Sequence, residues 1–195
     1  MKLGEIFEDC PSEAASVDVN GITADSRKVE PGFVFAALKG VAADGRDYIP
    51  QAIEKGAAAI LGNGLPQDLS VAGIDIVEPR LGLAKAAARF FPHQPETVVA
   101  ITGTNGKSST VDFLRQIWAA TGRKAASMGT LGAIGPSGTI DLGHTTPDPV
   151  AIHHTLQTLA GEGVTHAAME ASSHGLAQYR LDGVRLAAGA FTNLT

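Results

Sequence analysis

Apolar residues in the first half of the chain come in short runs that alternate with longer amphipathic stretches. Residues 33–38 (FVFAAL) form a run rich in aromatic and branched side chains, which predicts a buried strand. Similar patterns predict strands over 57–61 and 74–77 and a helix over 48–55 that ends at Gly56. A second helix is predicted over 79–91, with Leu81, Ala84, Ala88 and Phe91 facing inward.

The second half opens on the strongest strand pattern of the chain. Residues 97–102 (TVVAIT) are mostly β-branched, which predicts a fully buried parallel strand. A glycine-rich turn leads into a helix predicted over 108–121, and Asp148 with Pro149 begins another. Later strands are predicted over 164–169 and 186–191. The residues expected to face inward from the two helices are Val111, Leu114, Ile117, Trp118, Ile152, Leu156 and Leu159.

This alternation predicts an α/β fold in two domains. Residues 91–95 (FPHQP) carry two prolines, which disfavour a helix at and before each of them. We therefore expect a small N-terminal α/β domain over residues 1–92. Residues 93–195 should form the first part of a parallel-sheet domain with a phosphate loop.

The composition excludes several classes of protein. Of 195 residues, 44% are hydrophobic and 18% charged, which indicates a folded, soluble protein. The formal charge of −5, without a basic cluster, argues against nucleic acid as a partner. A signal peptide and an apolar stretch long enough for a membrane span are not found, so we expect a cytoplasmic location without membrane association. Cys10 is the single cysteine and predicts no disulfide.

Residues 102–109 (TGTNGKSS) have the features of a phosphate-binding loop. They lie between the strongest predicted strand and an amphipathic helix, the context that such a loop requires. Glycines let amides near Asn105 and Gly106 converge on an anion at a helix N-terminus. Lys107 can reach terminal phosphates and the Ser108 hydroxyl can bind Mg²⁺. Ile101 stands where the longer G-x-x-x-x-G-K-[ST] pattern has glycine, and an ordinary glycine-rich turn remains the alternative.

The string ITGTNGKSST resembles the nucleotide loop of the Mur ligases and of the related folylpolyglutamate synthetases. This resemblance implies ATP as cosubstrate, bound by Gly103, Thr104, Asn105, Gly106, Lys107, Ser108 and Ser109. Three other stretches resemble the Mur ligases that add the third residue to UDP-N-acetylmuramoyl-L-alanyl-D-glutamate.

The first stretch is residues 24–49, with ADSRKV, PGFVFAA and GVAADGRDYI. In this family the D-S-R segment and the loop before D-G-x-x-[YF]-I hold the uridine nucleotide. The resemblance implies that Ser26 and residues Val41, Ala42 and Ala43 contact that nucleotide. A plain turn at Asp25 and Ser26, with Arg27 as a solvated charge, is the alternative.

The other two stretches are residues 144–148 (HTTPD) and 169–180 (MEASSHGLAQYR). The resemblance implies that Thr145, Thr146, Ser172, Gln178 and Arg180 bind the muramoyl dipeptide, and that Glu170 helps to hold Mg²⁺ with Ser108. Helix capping is the alternative for Thr146 and Asp148, and solvated charges are the alternative for Glu170 and Arg180. His144 stands where the family commonly has Asn.

The resemblance implies an ATP-dependent amide ligase of peptidoglycan synthesis that works through an acyl phosphate. Lys107 and Glu170 would be its catalytic residues, and meso-diaminopimelate is the commoner amino acid substrate. No obligate protein partner is implied. In the family, the final string FTNLT leads into a further metal-ligand segment and a third domain, so we expect this chain to be truncated and inactive alone. A folylpolyglutamate-synthetase-like ligase and a non-catalytic nucleotide-binding module are the alternatives.

Overall fold

A computed structural model describes residues 1–40 and 43–194. The chain divides into two compact units, residues 1–90 and 91–195. Both units are α/β, as predicted, and each is built around a largely parallel sheet.

The first unit carries a four-stranded parallel sheet in the order β1-β2-β3-β4. Its elements are α1 (Leu3–Ile6), β1 (Gly21–Thr23), a 3₁₀ turn (Ser26–Lys28), β2 (Phe33–Ala36), a second 3₁₀ turn (Gly45–Tyr48), α2 (Ile49–Glu54), β3 (Ala59–Gly62), β4 (Ala72–Asp75) and α3 (Pro79–Phe90). Successive residues of β2 and β3 are buried, because a parallel sheet covered by helices buries both of its faces.

Several predicted bounds in this unit shift by one or two residues, and two differences also change which residues are buried. The fourth strand covers Ala72–Asp75 rather than 74–77, and Val77 is largely exposed. Helix α3 buries Leu83, Ala84, Ala86 and Ala87, whereas Leu81 and Ala88 are only half-buried. The face that packs inward is therefore rotated from the predicted one, because small alanines permit close packing where larger side chains were expected to decide.

The second unit carries a six-stranded sheet in the order β10-β5-β9-β6-β7-β8. Its elements are β5 (Thr97–Thr102), α4 (Lys107–Ala120), β6 (Ala125–Gly129), β7 (Gly132–Gly135), β8 (Gly138–Ile140), α5 (Pro149–Gly161), β9 (His166–Glu170), α6 (Ser173–Ala177) and β10 (Ala188–Phe191). The first four strands of this order are parallel, as predicted. Strands β7 and β8 extend the sheet antiparallel and were not predicted.

Strand register brings three chain segments to one edge of this sheet. β5 lies between β9 and β10, with Ile101 opposite Glu170 and Thr102 opposite Phe191. Because all three strands run in the same direction, the residues that follow them lie side by side. These residues begin the glycine-rich loop, the segment after Glu170, and the segment at Thr192.

Of two helices in this unit, α5 packs as its apolar pattern predicts, whereas α4 does so only in part. Ile152, Leu156 and Leu159 of α5 are fully buried, as predicted, and Asp148 caps the helix by accepting a hydrogen bond from the Ala151 amide at 3.1 Å. On α4, Val111 is buried but Ile117 is 58% exposed, so its predicted inward position is wrong. The side of α4 that carries Phe113 and Ile117 faces solvent in this structure.

No helix within residues 1–40 and 43–194 is long and apolar enough to cross a membrane.

We expect Leu156→Ala to lower the free energy of unfolding of the second unit by about 2–5 kcal/mol, because it leaves a cavity at a fully buried position. Urea unfolding followed by fluorescence of Trp118, the only tryptophan, measures this unit selectively. Leu131→Ala is the matched control: Leu131 is 67% exposed, and its loss should change stability by less than about 0.5 kcal/mol. Equal effects of the two substitutions would contradict this assignment of the core.

Candidate functional site

The glycine-rich loop after β5 adopts the backbone that a phosphate-binding loop requires. Gly103 and Gly106 have φ values of +130° and +84°, which side chains disfavour. A Cβ on Gly103 would also lie 2.1 Å from Thr192 Oγ1, so this position has no room for a side chain. Gly106 is the N-cap of the 14-residue helix α4, whose first-turn amides lack intrahelical acceptors and lie at the positive end of the helix dipole.

Lys107 folds its side chain back over this loop. Its Nζ donates hydrogen bonds to the carbonyl oxygens of Gly103 at 2.8 Å and Thr104 at 3.1 Å. A cavity of about 360 Å³ lies beside the lysine and is lined by Thr102, Gly103, Thr104, Lys107, Ser172, Ser173, Phe191 and Leu194. The loop predicted to bind phosphate and the segment expected to bind the dipeptide thus share one cavity.

The sequence pattern predicts that the Asn105 amide faces an anion. In the structure this amide is bonded within the protein instead. Its N–H donates to Asn193 Oδ1 at 3.1 Å, and the Thr104 N–H donates to the Asn193 carbonyl at 3.0 Å. Thr192 and Asn193 were missed as loop partners. They lie almost ninety residues away in sequence, and only the pairing of β10 with β5 brings them to the loop.

Glu170 ends β9 and is 2% exposed, which rules out the alternative of a solvated charge. Its Oε1 accepts a hydrogen bond from the Thr130 amide at 2.9 Å, and the Thr130 hydroxyl lies 3.5 Å from Oε2. Glu170 and Ser108 line the same small cavity, together with Gly129. A carboxylate and a hydroxyl that line one cavity next to a phosphate loop are oxygen ligands of the kind that Mg²⁺ binds.

Thr146 is a buried connection between strand β9 and the loop before α5. Its hydroxyl donates to the Glu170 carbonyl at 3.1 Å and accepts from the Ser172 amide at 3.0 Å, and only 2% of the residue is exposed. Asp148, rather than Thr146, caps α5, so the capping alternative holds for Asp148 alone. The Thr145 hydroxyl lies 2.9 Å from that of Thr130 and so joins the surroundings of Glu170.

Arg180 is oriented by hydrogen bonds to Thr146 and Gln178. Its Nη1 donates to the Thr146 carbonyl at 2.5 Å, and Nε and Nη2 donate to Gln178 Oε1 at 3.2 and 2.8 Å. Tyr179, between them, has a left-handed φ of +57°, which lets Gln178 and Arg180 approach one another. The Ser172 hydroxyl caps α6 by accepting from the Gly175 amide at 3.0 Å. The structure thus brings the expected dipeptide residues of this unit into one hydrogen-bonded cluster.

In the first unit, Ser26 lies in a tight turn after β1 and is buried. Asp25 caps this turn and forms a bidentate ion pair with Arg27, with the Nε and Nη2 atoms 2.9 and 2.8 Å from its carboxylate. The hydrogen bonds from Arg27 hold the pKa of Asp25 at about 2. The Arg27 side chain is 85% exposed, so it pairs with Asp25 while remaining a solvated charge. The turn at Asp25 and Ser26 is present, as the alternative predicts.

A second turn of the same construction follows β2. Asp44 caps it and pairs with Arg46, whose hydrogen bonds hold the pKa of Asp44 at about 2. Ala43 is exposed, and its carbonyl accepts from the Gly40 amide at 2.9 Å. Val41 and Ala42, also expected to contact the uridine nucleotide, lie outside the described residues. Because β1 and β2 are adjacent parallel strands, both turns lie at the same edge of the first sheet.

These features define a nucleotide-binding protein of the phosphate-loop class. They are a largely parallel sheet, a glycine loop at a helix N-terminus, a lysine, and a buried glutamate that lines a cavity with a helix serine. Two family descriptions match the chain: "Mur ligase family, catalytic domain" over residues 18–107, and "Mur ligase middle domain" over residues 101–195. The chain belongs to the Mur ligase family.

Curated relatives are similar along the whole chain. The UDP-N-acetylmuramoyl-L-alanyl-D-glutamate--2,6-diaminopimelate ligase of Brucella melitensis is 55% identical over 200 residues, and the alignment covers 100% of this chain and 41% of that protein. The ligase of the same name from Rhizobium meliloti is 53% identical, with 97% and 39% covered. This chain therefore spans about 40% of the length of these relatives.

Solved structures agree on the fold. A UDP-N-acetylmuramoyl-L-alanyl-D-glutamate--2,6-diaminopimelate ligase superposes with a TM-score of 0.85 at 27% identity, covering 100% of this chain and 40% of that one. The MurF ligase of Thermotoga maritima, solved in complex with ADP, gives a TM-score of 0.62 at 20% identity, over 91% of this chain and 38% of that one. At that identity the second likeness shows the fold alone.

Gly129→Ala tests how Glu170 is held. A Cβ at this position would lie 2.1 Å from Glu170 Oε1, so we expect the carboxylate to leave the Thr130 amide and Mg²⁺-dependent nucleotide binding to weaken about tenfold. Calorimetric titration of ATP with and without Mg²⁺ measures the effect. Gly161→Ala is the matched control, since a Cβ there meets nothing within 4 Å. An unchanged Mg²⁺ dependence in Gly129→Ala would remove Glu170 from the metal site.

Proposed function

We propose that the protein to which these residues belong is a cytoplasmic ATP-dependent ligase that joins meso-diaminopimelate to the D-glutamate of UDP-N-acetylmuramoyl-L-alanyl-D-glutamate. One observation carries the proposal: Lys107 of the phosphate loop and Ser172 of the expected dipeptide segment line the same cavity. A ligase that activates a carboxylate with ATP must bring that carboxylate to the terminal phosphate. The names of the relatives supply the identity of the substrates.

The second unit supplies the groups that bind the polyphosphate. The first-turn amides of α4 and the Lys107 ammonium face the negative charge of the phosphates, and Ser108 and Glu170 are the side chains that would hold Mg²⁺. When bound, Mg²⁺ offsets negative charge on the phosphoryl group that is transferred. Glu170 is already oriented by the Thr130 amide, so it needs little reorganisation to serve as a ligand.

The residues around Arg180 hold the carboxylate that reacts. The γ-carboxylate oxygen of D-glutamate forms a bond to the terminal phosphorus of ATP, and the bond from that phosphorus to the ADP oxygen breaks. The amine of diaminopimelate then attacks the acyl carbon, inorganic phosphate leaves, and the amine loses a proton. Arg180 and the Ser172 hydroxyl orient the acceptor, while Lys107 stabilises charge on the phosphoryl oxygens.

The first unit provides the uridine-binding part. Ser26 and residues 41–43 are its contacts with the nucleotide, and the side chains of Asp25 and Asp44 cap the turns Ser26–Lys28 and Gly45–Tyr48. In each turn the Asp carboxylate accepts hydrogen bonds from the turn's own amide and from the Arg side chain, which stabilises the turn.

We expect Lys107→Ala to weaken ATP binding at least about tenfold, because it removes the charge that faces the terminal phosphates. Isothermal titration calorimetry on the 195-residue chain measures this directly. Lys85→Ala, which removes an exposed lysine of α3 in the other unit, is the matched control and should leave the affinity unchanged. If both variants bind ATP as the parent chain does, the loop is an ordinary strand–helix turn.

We expect Arg180→Gln to weaken binding of UDP-N-acetylmuramoyl-L-alanyl-D-glutamate about tenfold while leaving the affinity for UDP unchanged, because Arg180 faces the dipeptide part. Ser26→Ala should weaken both ligands. Comparative titrations of the two ligands separate these effects. If the parent chain binds neither ligand, the result favours the folylpolyglutamate-type alternative, which has no need of a uridine site.

A further inference from the structure

The segment that follows β10 is bonded directly to the phosphate loop. The Thr192 hydroxyl donates to the Asn105 carbonyl at 2.6 Å, and Asn193 Nδ2 donates to the same carbonyl at 3.1 Å. In return, the Asn193 carbonyl accepts a hydrogen bond from the Thr104 amide, and Asn193 Oδ1 accepts one from the Asn105 amide. Asn193 therefore satisfies both the donor and the acceptor of Asn105 with one side chain.

These bonds divide the amides of the loop into two groups. Those of Thr104 and Asn105 point toward Asn193, whereas the amides that begin α4 point along the helix axis without intrahelical acceptors. An anion at the loop is therefore left to the amides from Gly106 onward. Asn193 thus holds the first half of the loop through these hydrogen bonds.

The same segment also sets the position of Lys107. Thr192 Oγ1 packs against Gly103, where a Cβ would come within 2.1 Å of it, and thereby fixes the peptide that follows. The carbonyl oxygens of Gly103 and Thr104 are the two acceptors of Lys107 Nζ. A shift of the Thr192 and Asn193 segment would move both acceptors and, with them, the lysine.

We propose that Asn193, assisted by Thr192, is a positioning residue of the phosphate loop, which directs polyphosphate to the first turn of α4 and to Lys107. The inference rests on the proposed function, since it assumes that the loop binds phosphate. The ligand class is a polyphosphate with bound Mg²⁺, and neither Asn193 nor Thr192 need touch it.

The test uses Mg²⁺-tripolyphosphate as the probe, because it engages the loop without the rest of a nucleotide. We expect Asn193→Ala to weaken its binding to the 195-residue chain about tenfold in calorimetry. Thr192→Val should weaken it several-fold, whereas Thr192→Ser keeps the hydroxyl and should bind as the parent does. Thr158→Val removes a comparable hydroxyl–carbonyl bond on α5, at 3.0 Å, and should have no effect.

A double substitution separates positioning from a general loss of structure. In a Lys107→Ala background, Asn193→Ala should weaken binding by clearly less than tenfold, because the part of its effect that acts through the lysine is gone and only the part that acts through the loop amides remains. A full tenfold effect in that background, or parent-like binding by Asn193→Ala alone, overturns the inference. Should Asn193→Ala fail to fold, judged by Trp118 fluorescence, equal affinities of Thr192→Val and Thr192→Ser would overturn it instead.

The proposed function fails by a different result. If Lys107→Ala binds tripolyphosphate as tightly as the parent chain does, the loop is not a phosphate site, and the positioning role falls with it. A weakened Lys107→Ala together with an unaffected Asn193→Ala leaves the proposed function standing and removes the inference alone.

Discussion

The site depends on the parallel pairing of β5 with a neighbour on each side. The Ala171 amide donates to the Ile101 carbonyl at 2.8 Å, and the Thr192 amide donates to the Thr102 carbonyl at 3.0 Å. These two bonds continue the strand ladders past the strand ends, so three loops leave the sheet at one level. Chain segments that are distant in sequence thereby acquire fixed positions relative to one another, and the chemistry follows from that alignment.

Buried polar bonds then convert this alignment into a rigid arrangement. Thr146 and Glu170 are nearly inaccessible to water, and a buried polar group without a partner would destabilise the fold by about 1–3 kcal/mol. The Thr130 amide and the Ser172 amide provide such partners. Since each bond fixes the direction of a carboxylate or hydroxyl, the same bonds that satisfy the interior also hold the functional groups in place.

The strongly periodic elements and the local motifs could be predicted from the sequence. Strand β5 and helix α5 match their predicted positions because β-branched runs and a capped amphipathic helix are encoded by neighbouring residues. Strands β1, β6, β7 and β8 are three to five residues long and rich in small residues, so no period could be detected in them.

The predicted site residues are largely the ones that a motif marks, and those missed are the ones that only topology brings near. Lys107, Glu170 and Arg180 each stand in a distinctive string. In the structure Lys107 and Glu170 line two different cavities, and Arg180 donates to the Thr146 carbonyl. Thr130, Thr192 and Asn193 carry no pattern of their own, because their importance comes from bonds across the sheet. The burial of Glu170 and the pairing of Arg27 with Asp25 likewise required coordinates.

Strand β10 ends the second sheet, with all four of its residues exposed. Among the described residues, no strand pairs with its outer edge, and Phe191 is 59% exposed beside it. An open, partly apolar strand edge is a template on which another backbone can add hydrogen bonds. Among the described residues, the outer edge of β10 is therefore the place where a further strand could extend the second sheet.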